Sequence, residues 1–136
     1  MSNKKTSIII PILNENKHIE SCVNSVIKAT IGIETMELFL IDGGSTDGTL
    51  EKLYTFEQEY PFIKVLINKA QKTGPALNMG IKASTGDYII RLDAHAKFPK
   101  NYINKLVKAL DEMPDEIVNV GGALETKPGA DTLLAK

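Results

Sequence analysis

Thr6-Ser7-Ile8-Ile9-Ile10-Pro11-Ile12 is a continuous, largely β-branched run that breaks into the polar turn Leu13-Asn14-Glu15. An apolar run without polar alternation suits a strand buried on both faces, as in a parallel sheet covered by helices. Directly downstream, Ile19, Cys22, Val23, Val26 and Ile27 recur at helical spacing, with Asn14 or Asn16 available as N-cap and Gly32 as a stop. Strand, polar turn and amphipathic helix make one βα unit, and the rest of the chain repeats the alternation. Met36 to Asp42 reads as a second strand. Leu50, Leu53 and Tyr54 mark a helix that ends before Pro61, and Ile63 to Ile67 reads as a third strand. A short helix is expected from Pro75 to Ala83, with Pro75 at its first position, where a missing N–H costs nothing. Asp87 to Asp93 reads as a fourth strand, Pro99 as the opening of a helix with apolar face Tyr102, Ile103, Leu106, Val107 and Leu110, and Glu116 to Val120 as a fifth strand ending at Gly121-Gly122. Asp131 to Lys136 reads as the start of a helix without its continuation, so the domain is expected to be truncated at its C-terminus. The class that follows is α/β, a mostly parallel sheet with helices on both faces and right-handed crossovers.

The chain has 136 residues, 43% hydrophobic and 24% charged. That length and balance fit one globular domain, residues 1–136, with an ordinary core. A net charge of −1 offers no overall attraction for nucleic acid or an anionic membrane. Cys22 is the single cysteine, so thiol redox motifs and zinc fingers are excluded, and its place on an apolar helix face marks it as a small buried hydrophobe. Met1 to Thr6 holds no hydrophobic signal core, and no stretch nears the roughly 20 apolar residues of a membrane span. A cytoplasmic location is expected.

In an open α/β sheet, ligands bind beyond the carboxyl ends of the strands. Three polar clusters fall there: Pro11 to Glu15, Asp42-Gly43-Gly44-Ser45-Thr46-Asp47-Gly48-Thr49, and Arg91-Leu92-Asp93-Ala94-His95. The second is also what a βα loop with a good helix cap requires. It nearly matches a phosphate loop, but Thr49 stands where that motif needs lysine, which argues against a phosphate-loop NTPase. The first turn lacks the G-x-G-x-x-G of a dinucleotide site, and it lacks the Gly-rich basic loop of a sugar nucleotidyltransferase. In the third cluster, side-chain alternation would put Arg91, Asp93 and His95 on one face if the extended geometry persists. A carboxylate and an imidazole two residues apart can share a divalent ion, Mn²⁺ accepting both donor types more readily than Mg²⁺.

These clusters, joined by Ala76-Leu77-Asn78-x-Gly80-Ile81 and Gly86-Asp87-Tyr88-Ile89 in order and spacing, resemble the family 2 glycosyltransferases from about Thr6 to Gly122. The run Asp93-Ala94-His95-Ala96-Lys97-Phe98-Pro99, with Val120-Gly121-Gly122 downstream, is similar to the bacterial subgroup that assembles succinoglycan-type exopolysaccharides. The resemblance implies the Rossmann-like GT-A fold and a nucleotide diphosphate sugar donor, most often a UDP-sugar. It implies inverting transfer to a saccharide or lipid-linked acceptor, with membrane attachment only through segments this sequence does not contain. Pro11, Leu13, Glu15, Asp42 and Gly43 would then lie at the base and ribose, Lys72 near phosphate, Asp93 over the ribose and diphosphate, and Asp93 with His95 at a Mn²⁺ or Mg²⁺ ion. That metal would neutralise charge on the departing diphosphate.

Three departures from the family pattern are visible. Asp42-Gly43 replaces a pair of aspartates, and Leu77 stands where a cation facing phosphate is usual, a place Arg91 or Lys72 could take. His95 replaces the last aspartate of D-x-D, so metal binding should weaken, and weaken further as imidazole protonates below about pH 6.5. No residue of the chain stands in a recognisable general-base motif. A non-catalytic nucleotide-binding module of the same fold is the alternative.

Overall fold

The computed structural model describes residues 4–30, 33 and 35–114. Its elements run in the expected order: β1 (Thr6–Ile12), α1 (Ile19–Ala29), β2 (Met36–Asp42), α2 (Thr49–Glu59), β3 (Ile63–Ile67), α3 (Thr73–Ala83), β4 (Tyr88–Arg91) and α4 (Tyr102–Glu112). The four strands form one parallel sheet in the order β3-β2-β1-β4. The chain steps outward from β1 to β2 to β3, then crosses back to the far side of β1. That reversal of direction, between β1 and β4, is where such sheets leave room for a ligand.

Alternation along the strands divides the core in two. Ile8, Ile10 and Ile12 of β1, Leu38 and Leu40 of β2 and Ile90 of β4 pack with Val23, Val26, Leu53, Ile103 and Val107 from α1, α2 and α4. The opposite face, Ile9, Phe39 and Ile41, is covered by α3 through Ala76. Gly80 lets that helix sit close: a Cβ there would lie 2.7 Å from Ile9 Cγ2 and 2.9 Å from Ile41 Cδ1. Among the described residues no helix is long and apolar enough to cross a membrane.

Several boundaries differ from expectation. β4 is shorter than Asp87 to Asp93, because Asp87 turns its backbone N–H (2.7 Å) and its carboxylate back onto Lys5, and the chain turns again where Ala96 N–H reaches Asp93 O at 3.2 Å. α3 begins at Thr73, which places Pro75 third; the first turn has no intrahelical acceptors, so Pro75 forfeits nothing there either. Neither Asn14 nor Asn16 caps α1, whose N-cap is His18 with no side-chain bond. The expected stop at Gly32, the fifth strand at Glu116 to Val120 with Gly121-Gly122, and Asp131 to Lys136 lie outside the described residues.

At the amino ends of the strands, Glu37 anchors β1, β2 and the turn into β4 together. Its Oε1 accepts from Ser7 Oγ (2.7 Å), Thr85 N–H (2.6 Å) and Thr85 Oγ1 (3.0 Å), and Lys5 Nζ stands 3.5 Å from Oε2. Ser7 Oγ in turn accepts Gly86 N–H at 2.9 Å. Burial alone would raise the Glu37 carboxyl, but the Thr85 and Ser7 donors and the Lys5 charge outweigh it and hold the group below its ordinary 4.5. A carboxyl depressed by folding adds stability above its unfolded value and loses it as pH falls through the folded one. Thermal melts of the native chain and Glu37→Gln should therefore differ most at neutral pH and converge as pH drops below 4.5; a gap unchanged down to the acid limit would rule the linkage out.

On the outer margin of β3, Glu57 Oε2 from α2 accepts the Val65 N–H at 2.6 Å. Lys64 beside it is exposed.

Candidate functional site

A cleft of about 240 Å³ opens at the carboxyl ends of β1, β2 and β4, beside the amino end of α3. Its first wall is the turn after β1, which contributes Pro11, Ile12, Leu13 and Glu15. Leu13 is 46% exposed and offers an apolar surface on this wall.

The long polar run after β2 holds that turn in place. Asn14 N–H donates to Ser45 Oγ (2.9 Å), Thr46 N–H to Asn14 Oδ1 (2.8 Å), Glu15 N–H to Thr49 Oγ1 (3.0 Å) and Asn16 N–H to Asp47 Oδ2 (3.2 Å). Lys52 Nζ closes the set on Asn16 O at 3.0 Å. The Thr49 hydroxyl, with the Asn16 and Thr49 N–H groups, keeps the Asp47 carboxyl below its ordinary 3.8. Ser45 to Thr49 thus bind the neighbouring loop, and Asp47 Oδ1 accepts the Thr49 N–H (3.1 Å) where α2 begins. Asn14 is held at φ 50 by these bonds, a region open to asparagine more than to most residues.

Asp42 is placed otherwise than the sequence implied. It has no exposed surface and is absent from the cleft lining. Its Oδ2 accepts Gly44 and Ser45 N–H, each at 2.9 Å, a side chain folded onto its own following turn. Oδ1 has no partner among the described residues. Gly43 lines the cleft in its stead, its N–H on Ile12 O at 2.8 Å.

The second wall follows β3 and includes residues that sequence reasoning missed. Asn68 is 3% exposed and organises the turn: its Nδ2 donates to Lys72 O (2.8 Å), and its Oδ1 accepts Ala70 N–H (3.2 Å). This sets Gln71, Lys72 and Thr73 on the rim. The signal available was positional, a polar residue one step past a strand end. Gln71 adopts φ 59, which glutamine does not advertise.

The third wall carries Arg91, Asp93, Ala94 and His95. Extended geometry stops at Arg91, yet Arg91, Asp93 and His95 all face the cleft. Arg91 Nη2 stands 3.9 Å from Asp93 Oδ1, and His95 Nδ1 stands 3.8 Å from Glu15 Oε1. Beneath them Cys22 is buried; burial first, then the Glu15 and Asp93 charges, push its thiol up to about 12, so it is an inert packing group.

Among the described residues no three acidic, imidazole or thiol groups converge as a metal cage. Asp93 and His95, one oxygen and one nitrogen donor, both line the cleft.

Comparison with known proteins agrees with this architecture. The chain is 36% identical over 124 residues to a dolichyl N-acetyl-alpha-D-glucosaminyl phosphate 3-beta-D-2,3-diacetamido-2,3-dideoxy-beta-D-glucuronosyltransferase of Methanococcus voltae, a match covering 87% of this chain and 38% of that protein. It is 32% identical over 121 residues to the succinoglycan biosynthesis protein ExoA of Rhizobium meliloti, covering 87% and 36%. The chain therefore spans under two-fifths of these relatives' length. Among solved structures, the mannosyltransferase PcManGT of Pyrobaculum calidifontis, in complex with GDP-Man and Mn²⁺, superposes with a TM-score of 0.75 at 22% identity, over 82% of this chain and 34% of that one. TarS of S. aureus with UDP gives 0.71 at 24%, over 79% and 32%. This likeness establishes the fold, the Rossmann-like GT-A fold expected from the sequence. The family description Glycosyl transferase family 2 matches residues 7–127, and the chain belongs to that family.

Proposed function

We propose that these residues form the donor half of an inverting glycosyltransferase that takes a nucleotide diphosphate sugar, most often a UDP-sugar. The carrying observation is the cleft itself, where the turn after β1, the rim after β3 and the Arg91–His95 segment meet beyond the carboxyl ends of the strands. Pro11, Leu13 and Gly43, with the Glu15 carboxylate beside them, form a wall suited to base and ribose. Lys72, on the wall after β3, and Asp93, on the wall after β4, stand to either side of it, for phosphate and ribose. Asp93 and His95 would take a divalent ion, whose chemistry is to neutralise charge on the leaving diphosphate. Likeness to ExoA supports a product in exopolysaccharide or cell-surface synthesis. Relatives named for dolichyl- and undecaprenyl-phosphate transfer support a lipid-linked acceptor, met at the inner face of the cell membrane.

Calorimetric titration of UDP and GDP, with and without Mn²⁺, tests this reading. Mn²⁺ should tighten binding, and His95→Ala should lose at least the roughly tenfold in metal affinity that removing even an outer-shell partner costs. Binding of neither nucleotide under any condition would sink the donor-site assignment. Metal-independent binding would keep the site and remove His95 from the coordination sphere.

A further inference from the structure

Arg91 is the single arginine among 16 basic residues, and it ends β4 on the cleft. Its backbone is fixed, with Arg91 paired to Ile9 in the parallel register and the next residue's N–H on Ile9 O at 3.0 Å. Its side chain is 55% exposed, and its charged neighbour among the described residues, Asp93, stands at 3.9 Å, beyond hydrogen-bonding distance. A long pair between two half-exposed groups contributes little to stability. The guanidinium therefore holds its fork of donors open towards the cleft from a rigid strand end.

The charge balance of the cleft gives that fork a purpose. Among the described residues the charged side chains lining it are Glu15, Asp93, Lys72 and Arg91, two of each sign. A diphosphate brings several negative charges to this wall. His95, where the family pattern has a carboxylate, contributes none to hold an ion that would offset them. Leu77, where a phosphate-facing cation is usual, is partly buried against the core under α3. A planar guanidinium matches phosphate oxygens in a bidentate way that a lysine ammonium cannot, and its charge does not titrate near neutrality.

We propose that Arg91 is a substrate-contacting residue that grips the diphosphate of the donor, and that binding transfers its fork from the loose approach to Asp93 onto phosphate oxygens. Resting on the donor-site reading above, the proposal makes phosphate affinity depend on the protein's own cation as well as on metal. It also frees Asp93 for the ion once the donor has arrived.

The test is titration of uridine, UMP and UDP, in EDTA and in Mn²⁺, into the native chain, Arg91→Ala and Arg91→Lys, with thermal melts as a folding control. In EDTA, Arg91→Ala should weaken UDP by about tenfold to a hundredfold, the range for a charge-assisted bond, and leave uridine unchanged. Arg91→Lys should fall between, keeping charge without the fork. Equal UDP affinity in native and Arg91→Ala overturns the proposal, as does an equal loss for uridine and UDP, which would mark Arg91 as a support for the loop. If the native chain binds neither uridine nor UDP, the donor-site reading fails and takes this proposal with it; native binding with no phosphate-dependent effect of Arg91 removes this proposal alone.

Discussion

Gly86→Ala should cost about 3 kcal/mol of stability, the upper end of what an overfilled site costs. A Cβ at this position would collide with Ser7 Oγ and lie 2.8 Å from Ser7 N and 3.0 Å from Lys5 O. Two of those three atoms are backbone of the segment entering β1, the strand flanked by β2 and β4, so no rotamer change clears them. Relief requires β4 to pull away from β1. That breaks the Gly86 N–H to Ser7 bond and the Thr85–Glu37 contacts with it. Urea unfolding measures the loss, with Gly74→Ala as an internal control. A Cβ at Gly74 meets nothing within 4 Å, so that substitution should gain up to about 1 kcal/mol from helix propensity. Equal midpoints for the two variants would refute the packing argument.

Gly80→Val should be nearly as damaging, at about 2–3 kcal/mol, and its effect should reach the cleft. Gly80 faces Ile9 Cγ2 and Cδ1 and Ile41 Cδ1 at 2.7–2.9 Å from a virtual Cβ. Those isoleucines are stiff at χ1 and buried in the sheet. A branched side chain must lift α3, and α3 carries Thr73 and Ala76 on the lining, with Lys72 at its N-cap. Nucleotide affinity should therefore fall in the fraction that remains folded, measured by titration well below the melting midpoint. Gly80→Ala should show a smaller loss, since about 1 kcal/mol of helix propensity offsets the crowding. Full nucleotide affinity in folded Gly80→Val would show that α3 does not shape the site.

Much of the fold was legible because the signals are local. The isoleucine run of β1, the MELFLID segment of β2 and the spacing of Ile19, Cys22, Val23 and Val26 each state their own periodicity. The arrangement of the site was less so, because its bonds join loops some 30 residues apart. Nothing near Asn14 shows that its side chain serves Thr46 instead of capping α1. The Asp42 turn is local by contrast, its carboxyl folding onto Gly44 and Ser45, the next residues but one and two, and leaving the cleft to Gly43. Pro11, Leu13, Glu15, Gly43, Lys72, Asp93 and His95, named from the sequence, all line one cleft. Asn68, one step past a strand end, lines it too without being singled out.

The carboxylate of Glu57 on Val65 N–H has a consequence for the chain in a crowded solution. An uncapped edge strand is a template on which any extended polypeptide can crystallise its own backbone. With that donor occupied and Lys64 exposed beside it, the β3 margin is a poorer template for a further strand. Glu57→Ala would free the Val65 N–H and leave that margin stickier towards other chains.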